Sequence, residues 1–201
     1  AVPSTSETKL HFASIVRRYQ LPPTKQADEI RRGEVAIELF LTKNGHIFSQ
    51  KDKAEQNFRN EGVFIGSAHM AGKIDRLEID EANKTITIVD FKTGRSYNRW
   101  ASKSALYKYE LQLYCYKLLV EHSHSYRGYH VIGGRLEFLE PDDEGEIHTL
   151  ALRFDENKTA EVEKLIEAIW RRIHNLDFPD ISGYEEKRAG ILAFVEDLVK
   201  E

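Results

Sequence analysis

A single cysteine, Cys115, stands among 201 residues. That scarcity excludes an internal disulfide and any four-cysteine zinc or iron–sulfur site. No apolar run approaches the ~20 residues that a membrane span requires, so no membrane association is expected. The opening residues Ala1-Val2-Pro3-Ser4-Thr5 show no basic stretch followed by an apolar core. No signal peptide is read there, and a cytoplasmic protein is expected. The sequence has no Walker motif, which rules out an ATPase motor on this polypeptide. It also has no internal repeat and no low-complexity linker. At this length one well-buried domain over 1–201 is expected, with a core at about 25–155 and C-terminal helices over 156–201.

The formal net charge of −4 does not by itself point to nucleic acid, but distribution matters more than the total. From Lys92 to Tyr109 there are five basic residues, Lys92, Arg95, Arg99, Lys103 and Lys108, and no acidic one. Tyr97, Trp100, Tyr107 and Tyr109 lie among them. Cations interleaved with aromatics suit a nucleic-acid strand, because cations meet phosphates and rings stack on bases. Arg95, Arg99, Lys103, Lys108 and Trp100 are therefore candidate DNA contacts. The plainer reading of the same stretch is a solvated loop followed by an ordinary helix face.

Patterning predicts a first helix from a cap at Ser6 to about Arg18, broken by Leu21-Pro22-Pro23. A second runs from about Lys25 to Thr42 and stops at Asn44-Gly45. Residues 54–68 read as extended. Strands follow at about Ala71 to Ile79 and Thr85 to Phe91, then a buried helix from Ser102 to Glu121. Two more strands are expected near Tyr129–Leu139 and Ile147–Phe154. A helix then repeats Val162, Leu165, Ile166, Ile169, Trp170 and Ile173, and a last one uses Ile191, Phe194, Val195 and Leu198. This order implies an α/β fold, a mixed sheet flanked by helices.

The most informative stretch is Gly72-Lys73-Ile74-Asp75-Arg76-Leu77-Glu78-Ile79-Asp80, joined through Glu81-Ala82-Asn83-Lys84 to Thr85-Ile86-Thr87-Ile88-Val89-Asp90-Phe91-Lys92-Thr93-Gly94. With the four middle residues as a hairpin loop, Ile79 faces Ile86, Leu77 faces Ile88, and Asp75 faces Asp90. This register groups apolar residues on one face; a slip of one residue would set Leu77 against Thr87.

Directly opposed residues on antiparallel strands have Cβ atoms roughly 4.5–5.5 Å apart, where like charges repel. A hard divalent cation with oxygen ligands, Mg²⁺ or Mn²⁺, would resolve that conflict. Lys92 lies two residues beyond Asp90 and shares its face. Two acids and an ammonium around one point fit metal-assisted phosphodiester hydrolysis. The alternative is structural: Asp90 pairs with Lys92, and Asp75 pairs with Arg76 or Lys73.

Three segments in order, Gly72-Lys73-Ile74-Asp75-Arg76, Asp90-Phe91-Lys92-Thr93-Gly94 and Gln112-Leu113-Tyr114-Cys115-Tyr116, resemble the RecB-type branch of the PD-(D/E)xK nucleases. That branch carries G-x-x-D-R, D-x-K-T-G and Q-x-x-x-Y. The likeness extends over about residues 25 to 140. Leu176-Asp177-Phe178-Pro179-Asp180 is similar to a segment of the C-terminal nuclease modules of UvrD-like helicases.

The resemblance implies a restriction-endonuclease-like fold and a metal-dependent DNA nuclease in repair or recombination, with a helicase as partner or parent polypeptide. It implies Asp75, Asp90 and the Phe91 backbone carbonyl as metal ligands and Lys92 as the catalytic lysine. Gln112 and Tyr116 are implied to border the site and contact DNA. The family's G-x-x-x-H-x-x-x-E helix finds its nearest match at Gly33-Glu34-Val35-Ala36-Ile37-Glu38, with Ile37 at the histidine position. Glu38 or Glu34 would then replace that ligand, and Glu55 is a further acid ahead of the hairpin. His69, just before the hairpin, reads as structural. Loss of the histidine leaves open a catalytically weak or inactive nuclease-like module that binds DNA or serves as a scaffold.

Overall fold

The computed structural model describes residues 3–45, 48–94, 96–101 and 103–200. Twelve elements follow in chain order: α1 (Thr5–Val16), α2 (Pro23–Asn44), β1 (Lys53–Asn57), β2 (Val63–Ile65), β3 (Ala68–Met70), β4 (Lys73–Asp80), β5 (Thr85–Lys92), α3 (Ser104–Glu121), β6 (His130–Phe138), β7 (Thr149–Leu152), α4 (Glu156–His174) and α5 (Arg188–Lys200). The main sheet has the order β1-β4-β5-β6-β7, and β2 and β3 form a separate hairpin. β4 pairs antiparallel with both β1 and β5. The His130 N–H donates to the Lys84 carbonyl at 2.9 Å, and the Leu139 N–H donates to that of Lys92 at 3.0 Å. These bonds make β5 and β6 parallel, with α3 as the crossover, and the sheet is mixed as expected.

Contacts group the chain into two compact units: Ala1–Asp52 with Phe91–Asn98 and Glu137–Thr149, and Lys53–Asp90 with Arg99–Leu136 and Leu150–Glu201. In the first, α1 lies on α2 at Gly33, where a Cβ would come within 2.2 Å of the Phe12 ring. Phe40 is buried, with its ring 6.1 Å from that of Phe48 and 5.7 Å from that of Phe91. The larger unit is built on Ile74, Leu77, Ile86, Ile88 and Val89, all fully buried. A second cluster joins Ile65, Tyr114, Leu118 and Val162.

Several boundaries differ from the sequence reading. α1 is capped by Ser4 rather than Ser6, because Ser4 and Glu7 form a reciprocal capping box. It stops at Val16, ahead of the expected Arg18. Residues 54–68 are not one extended segment. The chain turns at Gly66, φ +55°, and Ala68–Met70 pairs back on Val63–Ile65, so β4 starts at Lys73 rather than Ala71. The expected helix start at Ser102 lies outside the described residues. In α4 the apolar repeat is only partly covered: Val162 and Leu165 are buried, while Ile169 and Ile173 are 40% and 47% exposed.

On the sheet face opposite Asp75, buried Arg76 pairs with Glu78 at 2.7 Å. Arg135 of β6 grips the same carboxylate with two hydrogen bonds of 2.6 Å. This bidentate link ties β4 to β6 across β5. Glu78→Ala would leave Arg76 buried without that carboxylate. It should cost about 3 kcal/mol, the lower end of the range for breaking a buried pair, because Glu78 keeps some exposure. Urea denaturation measures this, and a loss under about 1 kcal/mol would show that the network behaves like an exposed pair.

Candidate active site

The β4–β5 ladder sets Asp80 against Thr85, Ile79 against Ile86, Glu78 against Thr87, Leu77 against Ile88 and Arg76 against Val89. This is the register expected from the sequence, and its next step along both strands is Asp75 and Asp90. Asp90 is only 3% exposed, and Asp75 is half-buried. Leu77, Ile86 and Ile88, all fully buried, share their face and hold the strands in register, since a one-residue slip would turn them outward. The two cations that could have served Asp75 structurally also bind other acids: Lys73 pairs with Glu55 and Arg76 with Glu78.

Helix α3 supplies the rest of the arrangement. Leu113, Tyr114, Lys117 and Leu118 are buried in the larger unit and fix the helix about its axis. Gln112 and Tyr116, one turn apart, are half-buried. The Gln112 Nε2 donates to the Tyr116 Oη at 2.7 Å, and the Tyr116 hydroxyl lies near the charge of Asp90. Burial is the main cause that pushes the Tyr116 phenol up to about 12, followed by the negative charge of Asp90. The nearby charge of Asp75 adds to the rise, and donation from Gln112 opposes it. Four of the residues singled out from the sequence, Asp75, Asp90, Gln112 and Tyr116, thus meet in the larger unit.

Strand β5 continues into Phe91 and Lys92. The Phe91 ring packs edge-on against Phe40, and the Lys92 carbonyl takes the Leu139 N–H. Ile37 is half-buried on α2. Glu38 is exposed and bonded to Lys9 of α1 at 2.5 Å. In the count of the β1–β4 ladder, Glu55 falls level with Asp75. It has a left-handed backbone, φ 55°, and its carboxylate engages Lys73. His69 stacks on Phe64 with ring centroids 4.9 Å apart, on the β2–β3 hairpin. Among the described residues, no three His, Cys, Asp or Glu side chains form a ready-made metal cage.

In the basic stretch, Arg99, Lys103 and Lys108 are exposed, and Arg95 lies outside the described residues. The rings are more committed than the sequence implied. The Trp100 indole N–H donates to the Ala151 carbonyl at 2.7 Å, and the Tyr97 ring meets Phe138 edge-on. Tyr107 is buried beneath the Lys158 and Arg188 side chains, each 5.7 Å from its ring centre. The Gln112–Tyr116 hydrogen bond and the Arg76–Glu78–Arg135 network were not read from the sequence. The i, i+4 spacing of Gln112 and Tyr116 could signal only that they share a helix face.

Among protein families, the PD-(D/E)XK nuclease superfamily matches residues 8–186. No curated protein matches the sequence. A solved structure titled "Crystal structure of SSO0001" is similar over 81% of this chain and 68% of its own, at 17% identity and a TM-score of 0.36. No helix among the described residues is long and apolar enough to cross a membrane.

The raised Tyr116 phenol makes stability depend on pH in the alkaline range. Its pKa in the fold, about 12, lies above the ordinary 10.0, so folding favours the protonated phenol. That contribution is complete below pH 10 and is lost as pH rises towards 12. Between these limits the urea midpoint of the wild type should fall more steeply with pH than that of Tyr116→Phe. Parallel curves would mean that the fold does not bury the Tyr116 phenol as described.

Proposed function

The chain belongs to the PD-(D/E)XK nuclease superfamily, and from that premise we propose that it is a divalent-metal-dependent deoxyribonuclease that hydrolyses phosphodiester bonds. The observation that supports this reading is the β4–β5 register, which one further step would extend to Asp75 and Asp90, together with the burial of Asp90. Two carboxylates so placed offer hard oxygen donors and a charge conflict that a hard cation relieves, so the donor set fits Mg²⁺ or Mn²⁺. Asp75 and Asp90 would hold the ion, with the Phe91 carbonyl as a further donor and Glu38 as a weaker candidate. The chemistry such an ion supplies is neutralisation of phosphoryl charge and easier deprotonation of water.

Lys92, two residues on from Asp90 along β5, would meet the scissile phosphate or orient the attacking water. An ammonium beside a cation site is unfavourable unless the substrate's charge compensates it, so its contribution belongs to the transition state. Arg95, Arg99, Lys103, Lys108 and Trp100 would guide the DNA strand. The three ordered motifs support placing the protein in the RecB-type branch, acting in the cytoplasm in DNA repair or recombination with a helicase as partner or parent polypeptide. Ile37 at the family's histidine position favours a second reading, a catalytically weak or inactive DNA-binding or scaffolding module.

Cleavage of single- and double-stranded DNA with Mg²⁺, Mn²⁺ or EDTA separates the two readings, and a wild type that cuts under no divalent metal supports the inert module. Lys92→Ala should keep fold and DNA affinity but lose cleavage by roughly two or more orders of magnitude. Lys84→Ala, in the hairpin loop, should leave cleavage nearly untouched. A Lys92→Ala protein that cuts at the wild-type rate would refute the role given to the lysine. Arg99→Ala with Lys108→Ala should flatten the dependence of log affinity on log salt by about 1.8 for duplex and about 1.4 for single-stranded DNA. An unchanged slope would place the DNA path elsewhere.

A further inference from the structure

We propose that this chain associates with itself, the segment 176–181 of one copy lying in the groove between α3, α4 and α5 of another. Neither surface takes part in the metal-dependent reading above, and both belong to the larger unit.

The segment follows α4 and carries Leu176, Phe178 and Ile181, which are 78%, 69% and 66% exposed. Ile169 and Ile173, the uncovered residues at the end of α4, lead into it. Soluble proteins rarely leave so many large apolar side chains in water along one short stretch unless the patch serves binding. The backbone holds this ridge in place. The Leu176 N–H donates to the Ile173 carbonyl at 3.2 Å and the Asp177 N–H to that of Arg172 at 2.9 Å, the two bonds of a Schellman cap. Beyond it, the Asp180 carboxylate accepts from the Ser182 N–H and hydroxyl, both at 2.9 Å.

Leucine suits that cap poorly. Leu176 sits in the left-handed region, φ 54°, at the position where glycine is favoured because a Cβ crowds the backbone there. Its side chain gains nothing from burial to offset the strain, since most of it faces water. A strained, exposed leucine finds its use on a surface that a single copy does not bring to it.

Such a surface is present on the same unit. A groove of about 390 Å³ is lined by Leu111 of α3, Val162 and Leu165 of α4, and Leu192, Val195 and Val199 of α5. Its charged lining is Lys158, Lys164 and Lys200 against Glu161 and Glu196, a net charge of +1. Glu161 pairs with Lys158 at 3.8 Å and Glu196 with Lys200 at 3.9 Å, and Lys164 is exposed. The segment 176–181 matches this apolar bed and positive rim, because Asp177 and Asp180 are its only charges. Asp177 is bound to Arg172, which leaves exposed Asp180 to meet Lys164. One copy cannot bring the two surfaces together. Val162 in the groove and Ile173 beside the ridge lie eleven residues apart on α4, about 16 Å along its axis. The contact is therefore made between copies, twice in a two-fold dimer or repeatedly around a ring or along a filament.

Sedimentation velocity over a range of protein concentrations tests this. The wild type should gain mass as concentration rises. Leu176→Gly should weaken association by about 10-fold or more, the scale of a buried anchor at an interface. It should not lower the urea midpoint of the monomer, because glycine suits that cap. Val199→Asp, in the groove, should weaken association to a similar extent. Mixed together, the two variants should associate one to one more tightly than either does alone, since one brings an intact ridge and the other an intact groove.

A wild type that stays monomeric at every concentration overturns the proposal and leaves the ridge to a partner of another sequence. Wild-type association by both Val199→Asp and a second groove variant, Lys164→Glu, overturns it as well, because the ridges would then meet each other. If Val199→Asp does not fold, as circular dichroism would show, Lys164→Glu takes its place in the mixture and decides the question.

Discussion

Two carboxylates set opposite each other on adjacent antiparallel strands repel, and each pays for leaving water if it is also buried. The β4–β5 register leads towards that arrangement at Asp75 and Asp90, because the apolar residues on the same face leave the strands no alternative. Leu77, Ile79, Ile86 and Ile88 can be covered together only when the strands align as they do. The register that leads to the two acids is therefore set by the packing of their neighbours. A shift of one residue would relieve the repulsion but turn the apolar set of one strand away from the core.

The surrounding structure approaches that arrangement from two sides. On the face of the sheet away from the acids, the Arg135–Glu78–Arg76 network links β6 to β4 across the strand that bears Asp90. It resists sliding of the strands with charge-assisted bonds whose geometry is fixed. From α3, the Tyr116 phenol, held by Gln112, lies near the charge of Asp90. Both sets of residues lie on elements anchored in the same core.

The departure from the family's pattern lies on α2, where Ile37 stands at the histidine position. Ile37 cannot ligate a metal, and Glu38 is engaged with Lys9. In the proposed site, backbone oxygen and water would have to complete a hard cation's coordination beside the two carboxylates, as Mg²⁺ retains several waters in many protein sites. In the basic stretch, Trp100 and Tyr107 are tied into the larger unit while Arg99, Lys103 and Lys108 remain exposed. Phosphate contact by cations is thus better supported there than stacking by the rings.

Read alone, the sequence determined the β4–β5 register from Arg76 to Asp80 and the α3 face shared by Gln112 and Tyr116. Each follows from a local period, two along a strand and 3.6 along a helix, read against the need to bury apolar residues. The sequence missed the capping box at Ser4, the separate β2–β3 hairpin and the uncovered end of the α4 stripe at Ile169 and Ile173. Tertiary structure alone decided that the Tyr116 hydroxyl lies near Asp90, that Arg135 reaches Glu78, and that Glu38 answers Lys9. Those partners lie 26, 57 and 29 residues apart. No periodicity reaches that far, because the approach of such distant side chains is set by how whole elements pack and not by the residues beside them.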